Sequence, residues 1–295
     1  MKIGTRGSQL ARWQAEWVRA RLGDHGVAAD IVVIKTRGDA EVDRPLHELE
    51  GKGFFTKEIE DALLAGRIDV AVHSLKDLPT GLPPGLTLGA IPARHDPREA
   101  LVNGKSIADL PAGTRVGTSS LRRVAQIRFL RPDIEVVPLR GNVPTRVRKV
   151  EAREGLDAAL LALAGLERLG LGDKASPIDP LDVMPAPGQG ALGIEIRADD
   201  QGTRGALQPL HNPTSAWTVA AERALLAALG GGCQAPVAAW VEVRDEIRLY
   251  GRVTERDGAV QLTASWGIDP ERPEAAGEKV ARLLEGEGAA SLLAR

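Results

Sequence analysis

Cysteine is almost missing from this chain, with one residue, Cys233, among 295. A lone thiol excludes an internal disulfide framework and suits a reducing compartment. Aromatic residues make up only 3% of the sequence, too few to build stacking platforms along a nucleic-acid strand. No uninterrupted apolar run approaches the length of a membrane span, so no membrane partner is expected. Charge of one sign is not in excess either. The 38 Lys and Arg face 40 Asp and Glu, for a formal net charge of −2, which argues against a chain built to coat nucleic acid. No charged-then-apolar leader follows Met1, and a cytoplasmic location is the expectation.

What is present is a globular composition, 43% hydrophobic and 26% charged, long enough for two or three domains. The cations are distinctive in kind and place. Arg outnumbers Lys by 29 to 9, and from Arg115 to Arg153 ten cationic residues meet three acidic ones. The planar guanidinium binds both oxygens of a carboxylate or phosphate at once, so this stretch is expected to hold an anion. Cys233 follows three glycines in Gly230-Gly231-Gly232-Cys233-Gln234-Ala235-Pro236. Bulk is removed around the sulfur, so a large group could approach it. On these residues alone, a buried thiol acting as a small apolar side chain explains the position as well.

Strand and helix patterns alternate along the first two thirds. Gly7-Ser8 opens a helix with Leu10, Trp13, Trp17 and Ala20 on one face, and Ile31 to Ile34 reads as a buried strand. Ile68 to Val72 forms a strand that runs into His73-Ser74-Leu75-Lys76-Asp77-Leu78-Pro79. After a proline-bracketed link at Ile91–Pro97 the pattern restarts: a strand at Val116–Thr118, an N-cap at Ser119 or Ser120, and a helix over Leu121–Leu130. That helix carries Arg122 and Arg123 in its first turn, where cations oppose the dipole unless an anion joins them. Strands at Ile134–Pro138 and Ala158–Ala162 follow, with Pro144 at the start of the helix between them. Alternation of this kind predicts a mostly parallel sheet with sites at the strands' carboxyl ends. A strand at 191–196 returning to the first sheet would make two crossovers and a hinge. The last third reads as three antiparallel strands, with a hairpin signal at Asp257-Gly258 and a closing helix.

Seven segments then stand out in order: Thr5-Arg6-Gly7-Ser8, Gly51-Lys52-Gly53-Phe54-Phe55, Val72–Pro79, Gly117-Thr118-Ser119-Ser120-Leu121-Arg122-Arg123, Leu139-Arg140-Gly141-Asn142-Val143, Pro187-Gly188-Gln189-Gly190 and Gly231–Pro236. Together they resemble the porphobilinogen deaminase (hydroxymethylbilane synthase) family over essentially the whole chain. The resemblance implies an α/β fold of two doubly wound domains, like those of periplasmic binding proteins, joined by a hinge. A small α+β domain with a three-stranded antiparallel sheet completes it. The expected bounds are 1–92 with 191–208, 98–184, and 213–295. It implies head-to-tail condensation of four porphobilinogen molecules into the linear tetrapyrrole hydroxymethylbilane, with loss of four ammonias and no metal. The primer is a dipyrromethane cofactor, held as a thioether on the cysteine matching Cys233.

Residue by residue, the resemblance places the catalytic carboxylate at Asp77. Cofactor contacts fall at Lys76, Thr118, Ser120, Arg122, Arg123 and Arg146, and substrate contacts at Arg6, Ser8, Phe55, Arg140, Arg146 and Arg168. It further implies a monomer that hands its product to a uroporphyrinogen-III synthase. Glu48 and Glu50 stand where the family usually has a lysine and a small residue, and Pro144 replaces a common glycine. A hinged two-lobe ligand-binding protein and a nucleic-acid-binding module are the rival readings. The first shares the doubled α/β arrangement, and the second rests on the Arg115–Arg153 stretch.

Overall fold

A computed structural model describes residues 1–36, 56–231 and 235–293. Gly51-Lys52-Gly53-Phe54-Phe55, Glu48, Glu50 and Cys233 lie outside these described residues. The chain divides into two compact units: Met1–His95 with Ala191–Ala216, and Asp96–Gly190 with Trp217–Arg295.

The first unit is built on a five-stranded sheet. Its strands are β1 (Lys2–Thr5), β2 (Asp30–Val33), β3 (Val70–Ser74), β4 (Leu86–Ala90) and β10 (Leu192–Arg197), in the order β2-β1-β3-β10-β4. β1 pairs in parallel with β2 and β3, whereas β10 is antiparallel to both its neighbours. Helix α1 (Gln9–Asp24) covers one face and α2 (Lys57–Leu64) the other. Ser8 caps α1 by accepting from the Ala11 amide at 3.3 Å. The expected apolar face of α1 is corrected. Gln14, Ala15, Val18 and Leu22 are the buried residues, while Trp13 turns its ring edge-on to His95 and Ala20 is exposed. The second strand is corrected too: β2 is an edge strand with Val33 40% exposed, because among the described residues only β1 flanks it.

The second unit repeats this topology. Strands β5 (Glu99–Val102), β6 (Arg115–Gly117), β7 (Glu135–Val137), β8 (Ala158–Ala162) and β9 (Ala175–Pro177) lie in the order β7-β6-β8-β5-β9. Here β5 is the reversed strand, antiparallel to β8 and β9. In each sheet the reversed strand comes fourth in the order and is the first to form after the chain crosses between units. Helices α3 (Leu121–Leu130), α4 (Val143–Glu151) and α5 (Leu163–Arg168) pack on this sheet, α3 through Ile127 on one face and α4 through Val147 and Val150 on the other.

In the first unit, α6 (Gln201–Leu207) follows β10. α7 (Pro213–Ala228) then leads into an antiparallel sheet of β11 (Val237–Val243), β12 (Ile247–Thr254) and β13 (Gln261–Gly267). Helix α8 (Pro273–Gly286) and the short α9 (Ala289–Leu293) close this layer. The core beneath them joins Leu225, Val253, Val280 and Leu284. The hairpin at Asp257-Gly258 forms as expected, with Gly258 at φ 83° and the Asp257 side chain accepting from the Ala259 amide.

Helices α7 and α8 approach so closely that a Cβ on Gly277 would lie 2.5 Å from the Ala221 carbonyl oxygen and 2.7 Å from the Leu225 amide nitrogen. Replacing a mid-helix glycine by alanine ordinarily stabilises by about 1 kcal/mol. Here the obstacles are backbone atoms that cannot rotate away, so the sign reverses. Gly277→Ala is expected to destabilise the protein by about 1–3 kcal/mol, read as a lowered urea midpoint. A raised midpoint would refute the close approach.

Candidate active site

Parallel neighbours bring their carboxyl ends together, and the loops there carry the chemistry. In the first unit, β1 delivers Arg6 and Ser8, and β3 runs into a 3-10 turn, Leu75–Asp77, that carries Lys76 and Asp77. Arg6, Ser8, Gln14, His73, Ser74 and Asp77 all line one open cavity of about 70 Å³. Its floor is pinned by Gln14 Nε2, which donates to Ser74 Oγ at 2.9 Å. Asp77 is exposed, whereas Lys76 and Arg6 are half-buried. One wall is ionisable beneath the surface, since His73 Nε2 lies 3.2 Å from Glu195 Oε2, with both side chains buried.

In the second unit the same rule applies to β6, β7 and β8. Thr118 is buried, and its hydroxyl accepts from the Ser120 amide at 3.4 Å. Ser120 is the N-cap of α3, as expected, with extended backbone and its carbonyl accepting from the Val124 amide. Leu139 is fixed by a two-way exchange with the Ser119 hydroxyl. Arg140 follows, and Gly141 at φ 113° makes a turn that a side chain would strain. Asn142 caps α4 by accepting from the Thr145 amide at 2.9 Å, and Pro144 sits in its first turn. Arg146, on that helix, donates from Nε to the Gly141 carbonyl at 2.7 Å. Arg168 ends α5 as a buried side chain and donates to the Gly190 carbonyl at 2.6 Å. Burial lowers its pKa to about 10, with Glu167 acting the other way.

Arg122 and Arg123 meet an anion from within the chain. Glu99, at the start of β5 and fully buried, accepts from Arg122 Nη2 at 2.5 Å and from Arg123 Nη2 at 2.8 Å. Their remaining Nη groups donate to the Met184 and Leu160 carbonyls. Burial pushes the Arg122 pKa down, Glu99 pulls it back, and Arg123 adds to the lowering. The sequence offered no sign of Glu99, which lies in the apolar run Glu99-Ala100-Leu101-Val102.

Helix α3 is anchored further along its length. Gln126 exchanges hydrogen bonds with both backbone groups of Met184, and its Oε1 also accepts from Arg252 Nη1 at 2.9 Å. Arg252, on β12, also donates to the Leu181 and Asp182 carbonyls. Burial lowers its pKa to about 10, with Asp182 acting the other way. A second tie reaches the Pro187–Gly190 motif, where Glu222 of α7 accepts from the Gly188 amide at 2.8 Å and the Val241 amide at 3.1 Å.

Two family models match the sequence. Residues 1–205 match the porphobilinogen deaminase, dipyromethane cofactor binding domain, and residues 216–286 match the porphobilinogen deaminase C-terminal domain. The chain belongs to the porphobilinogen deaminase family. A porphobilinogen deaminase from Geotalea uraniireducens is 48% identical over 299 residues, covering all of this chain and 94% of that protein. One from Moorella thermoacetica is also 48% identical, covering 99% of this chain and 95% of its own. Among solved structures, an ancestral arginine-binding protein aligns over 71% of this chain and 89% of its own, at 14% identity and a TM-score of 0.38, too slight to bear on function.

The residues suit the carboxylate-bearing dipyrromethane of this family. Two buried guanidiniums share one carboxylate at the start of α3, leaving a surplus positive charge, and Arg123 Nε is buried with no hydrogen-bond partner.

Breaking a buried ion pair from one side costs about 3–5 kcal/mol, since the partner's charge is left uncompensated. Glu99→Gln is therefore expected to lose that much stability in urea unfolding, with Glu99→Asp recovering part of it. An unchanged midpoint for Glu99→Gln would show that the arginines find their counter-charge elsewhere.

Proposed function

We propose that this chain condenses four porphobilinogen molecules head to tail into hydroxymethylbilane, releasing four ammonias and taking up one water when the product is freed, and primes the reaction on a dipyrromethane joined by a thioether to Cys233. The observation that carries the reading is the meeting of Arg6 and Asp77 at one cavity, on the carboxyl ends of adjacent parallel strands, in a chain of this family. When bound, the dipyrromethane supplies the nucleophilic ring carbon that starts the chain.

Each porphobilinogen carries two carboxylates, and planar guanidiniums suit them as bidentate partners. Arg6, Arg140, Arg146 and Arg168, with Ser8 and Phe55, hold the incoming substrate in this reading. Lys76, Thr118, Ser120, Arg122, Arg123 and Arg146 hold the primer. Loss of ammonia leaves positive charge on the incoming pyrrole. The exposed carboxylate of Asp77 stabilises that charge, then takes the proton that the attacking ring carbon must shed for its own ring to regain aromaticity. The proton and the ammonia together leave as ammonium, so charge balances in each cycle.

Three folded parts, with bounds 1–92 plus 191–208, 98–184 and 213–295, belong to the same reading. So do a cytoplasmic location, a monomeric state and hand-over of product to a uroporphyrinogen-III synthase. No helix among the described residues is long and apolar enough to cross a membrane.

Asp77→Asn keeps the shape and removes the charge. It is expected to lower kcat on the order of hundredfold or more, and an effect confined to KM would assign Asp77 to binding instead. Cys233→Ala is expected to purify with the bare polypeptide mass and almost no turnover, whereas the native protein carries the added mass of two porphobilinogens less two ammonias. A native protein without that added mass, or an active Cys233→Ala variant, would end the covalent-primer reading.

A further inference from the structure

Residues 181–188, which leave the second sheet, form neither helix nor strand, so their backbone groups need partners from elsewhere. Side chains and amides from several elements supply them in turn. Arg252 of β12 donates from Nη2 to the Leu181 carbonyl at 2.7 Å and from Nη1 to the Asp182 carbonyl at 3.1 Å. Gln126 of α3 donates from Nε2 to the Met184 carbonyl at 3.0 Å and accepts from the Met184 amide at 2.8 Å. The Ala239 amide of β11 donates to the Pro185 carbonyl at 3.1 Å, and Glu222 of α7 accepts from the Gly188 amide. One segment is thus gripped both by the arginine helix and by α7 and β11, the elements that flank Cys233 in the sequence.

Arg122 and Gln126 lie one turn apart on the same face of α3, and both donate to the Met184 carbonyl. Gln126 Oε1 accepts twice, from the Met184 amide and from Arg252 Nη1 at 2.9 Å, which leaves its amide one orientation. Arg252 is only 6% exposed, and each of its four hydrogen bonds among the described residues goes to a neutral acceptor, the fourth being Thr263 Oγ1 on β13. A buried cation in such company is costly, and an uncharged side chain of similar length would fill the same space. What the planar fork adds is direction, since it fixes α3, the segment and β12 at once. The hairpin beyond β12 meets α3 again, where Arg128 Nη1 donates to the Arg256 carbonyl at 3.1 Å and a Cβ on Gly258 would lie 2.7 Å from the Phe129 amide nitrogen.

We propose that Gln126 and Arg252 are positioning residues for the condensation: through the Met184 carbonyl they hold the Arg122 guanidinium in register with the layer to which the primer is attached. The inference rests on the primer reading above, with Arg122 as a contact of the primer's carboxylates. Neither Gln126 nor Arg252 touches substrate. Of the five N–H donors of Arg122, one is committed to Glu99 and one to Met184, and because the group is planar and rigid these two contacts fix the directions of the other three. Without the Met184 contact in place, the plane is free to turn about Glu99. A misplacement of about 1 Å in a positioning group can cost on the order of a hundredfold in rate.

The test uses full-length enzyme with porphobilinogen as substrate, and rates are counted per folded, primer-bearing molecule from urea unfolding and intact mass. Gln126→Met and Arg252→Met keep length and apolar bulk while removing the contacts. Each is expected to lower kcat by about tenfold or more, with KM changed by less than about twofold because the arginines read as substrate contacts lie outside this path. The double variant is expected to be no slower than the slower single one, since both residues act through the Met184 carbonyl. Arg252→Lys, which keeps the charge and one donor for Gln126, is expected to recover part of the rate. A merely structural role predicts a lowered urea midpoint with kcat per folded molecule unchanged. That pattern, a raised KM with kcat intact, or losses that multiply in the double variant would overturn the proposal. If Arg252→Met does not fold, Gln126→Met decides, and an unchanged kcat there is sufficient to reject it. Failure of the underlying reading shows separately, as a native protein with neither the primer's added mass nor turnover.

Discussion

A carboxylate with no exposed surface must find its compensation inside the protein, and this constraint organises both five-stranded sheets. In each, the reversed strand supplies the buried acid: Glu195 from β10 in the first unit and Glu99 from β5 in the second. Each acid reaches a cation-forming residue on a neighbouring element, His73 on β3 or the two arginines opening α3. The segments that carry the candidate chemistry are thereby held from behind, one beside Asp77 and the other at the cap of the arginine helix. A third fully buried acid, Glu222, is compensated by backbone amides and fixes Gly188 against β11. Hydrogen bonds to charged groups contribute about 1.5–3 kcal/mol each. Such contacts can decide the placement of a loop that packing alone leaves free.

Much of this architecture was legible from local pattern. Helix α3 and strand β8 begin and end where a cap, apolar period and a short continuous apolar run predict. Pro144 and Asn142 likewise announce the start of α4. These signals work because they are set within a few residues. Where burial depends on a distant neighbour they fail. Ile31 to Val33 has a core-strand composition, yet sheet order puts it at an edge. The tryptophans of α1 suggested the wrong face, since a large ring at a boundary covers as much apolar surface as a residue in the core.

The site shows the same division. The parallel β1–β3 pair explains why Arg6 and Asp77, seventy-one residues apart in the sequence, share a cavity. Glu99 and Glu195 were invisible because a single acid in an apolar strand has no local signature. Its partners lie 23 and 24 residues away for Glu99 and 122 away for Glu195. The arginine cluster was legible as an excess of cations, but its internal counter-charge was not. For Arg122 and Arg123, that turns a simple picture of a waiting anion site into one where part of the guanidinium capacity is already committed.

The reversed strand of the first sheet has a consequence for the nascent chain. β10 lies between β3 and β4, yet it is made after the whole five-stranded sheet of the second unit. Until Leu192–Arg197 has left the ribosome, β3 and β4 have no strand to join them and each presents an unpaired edge. The complete first sheet therefore cannot form in plain N-to-C order, before the second unit's strands have been made. The second sheet, continuous from Glu99 to Pro177, has all its strands first. The first sheet is completed only when the chain returns with its fourth strand.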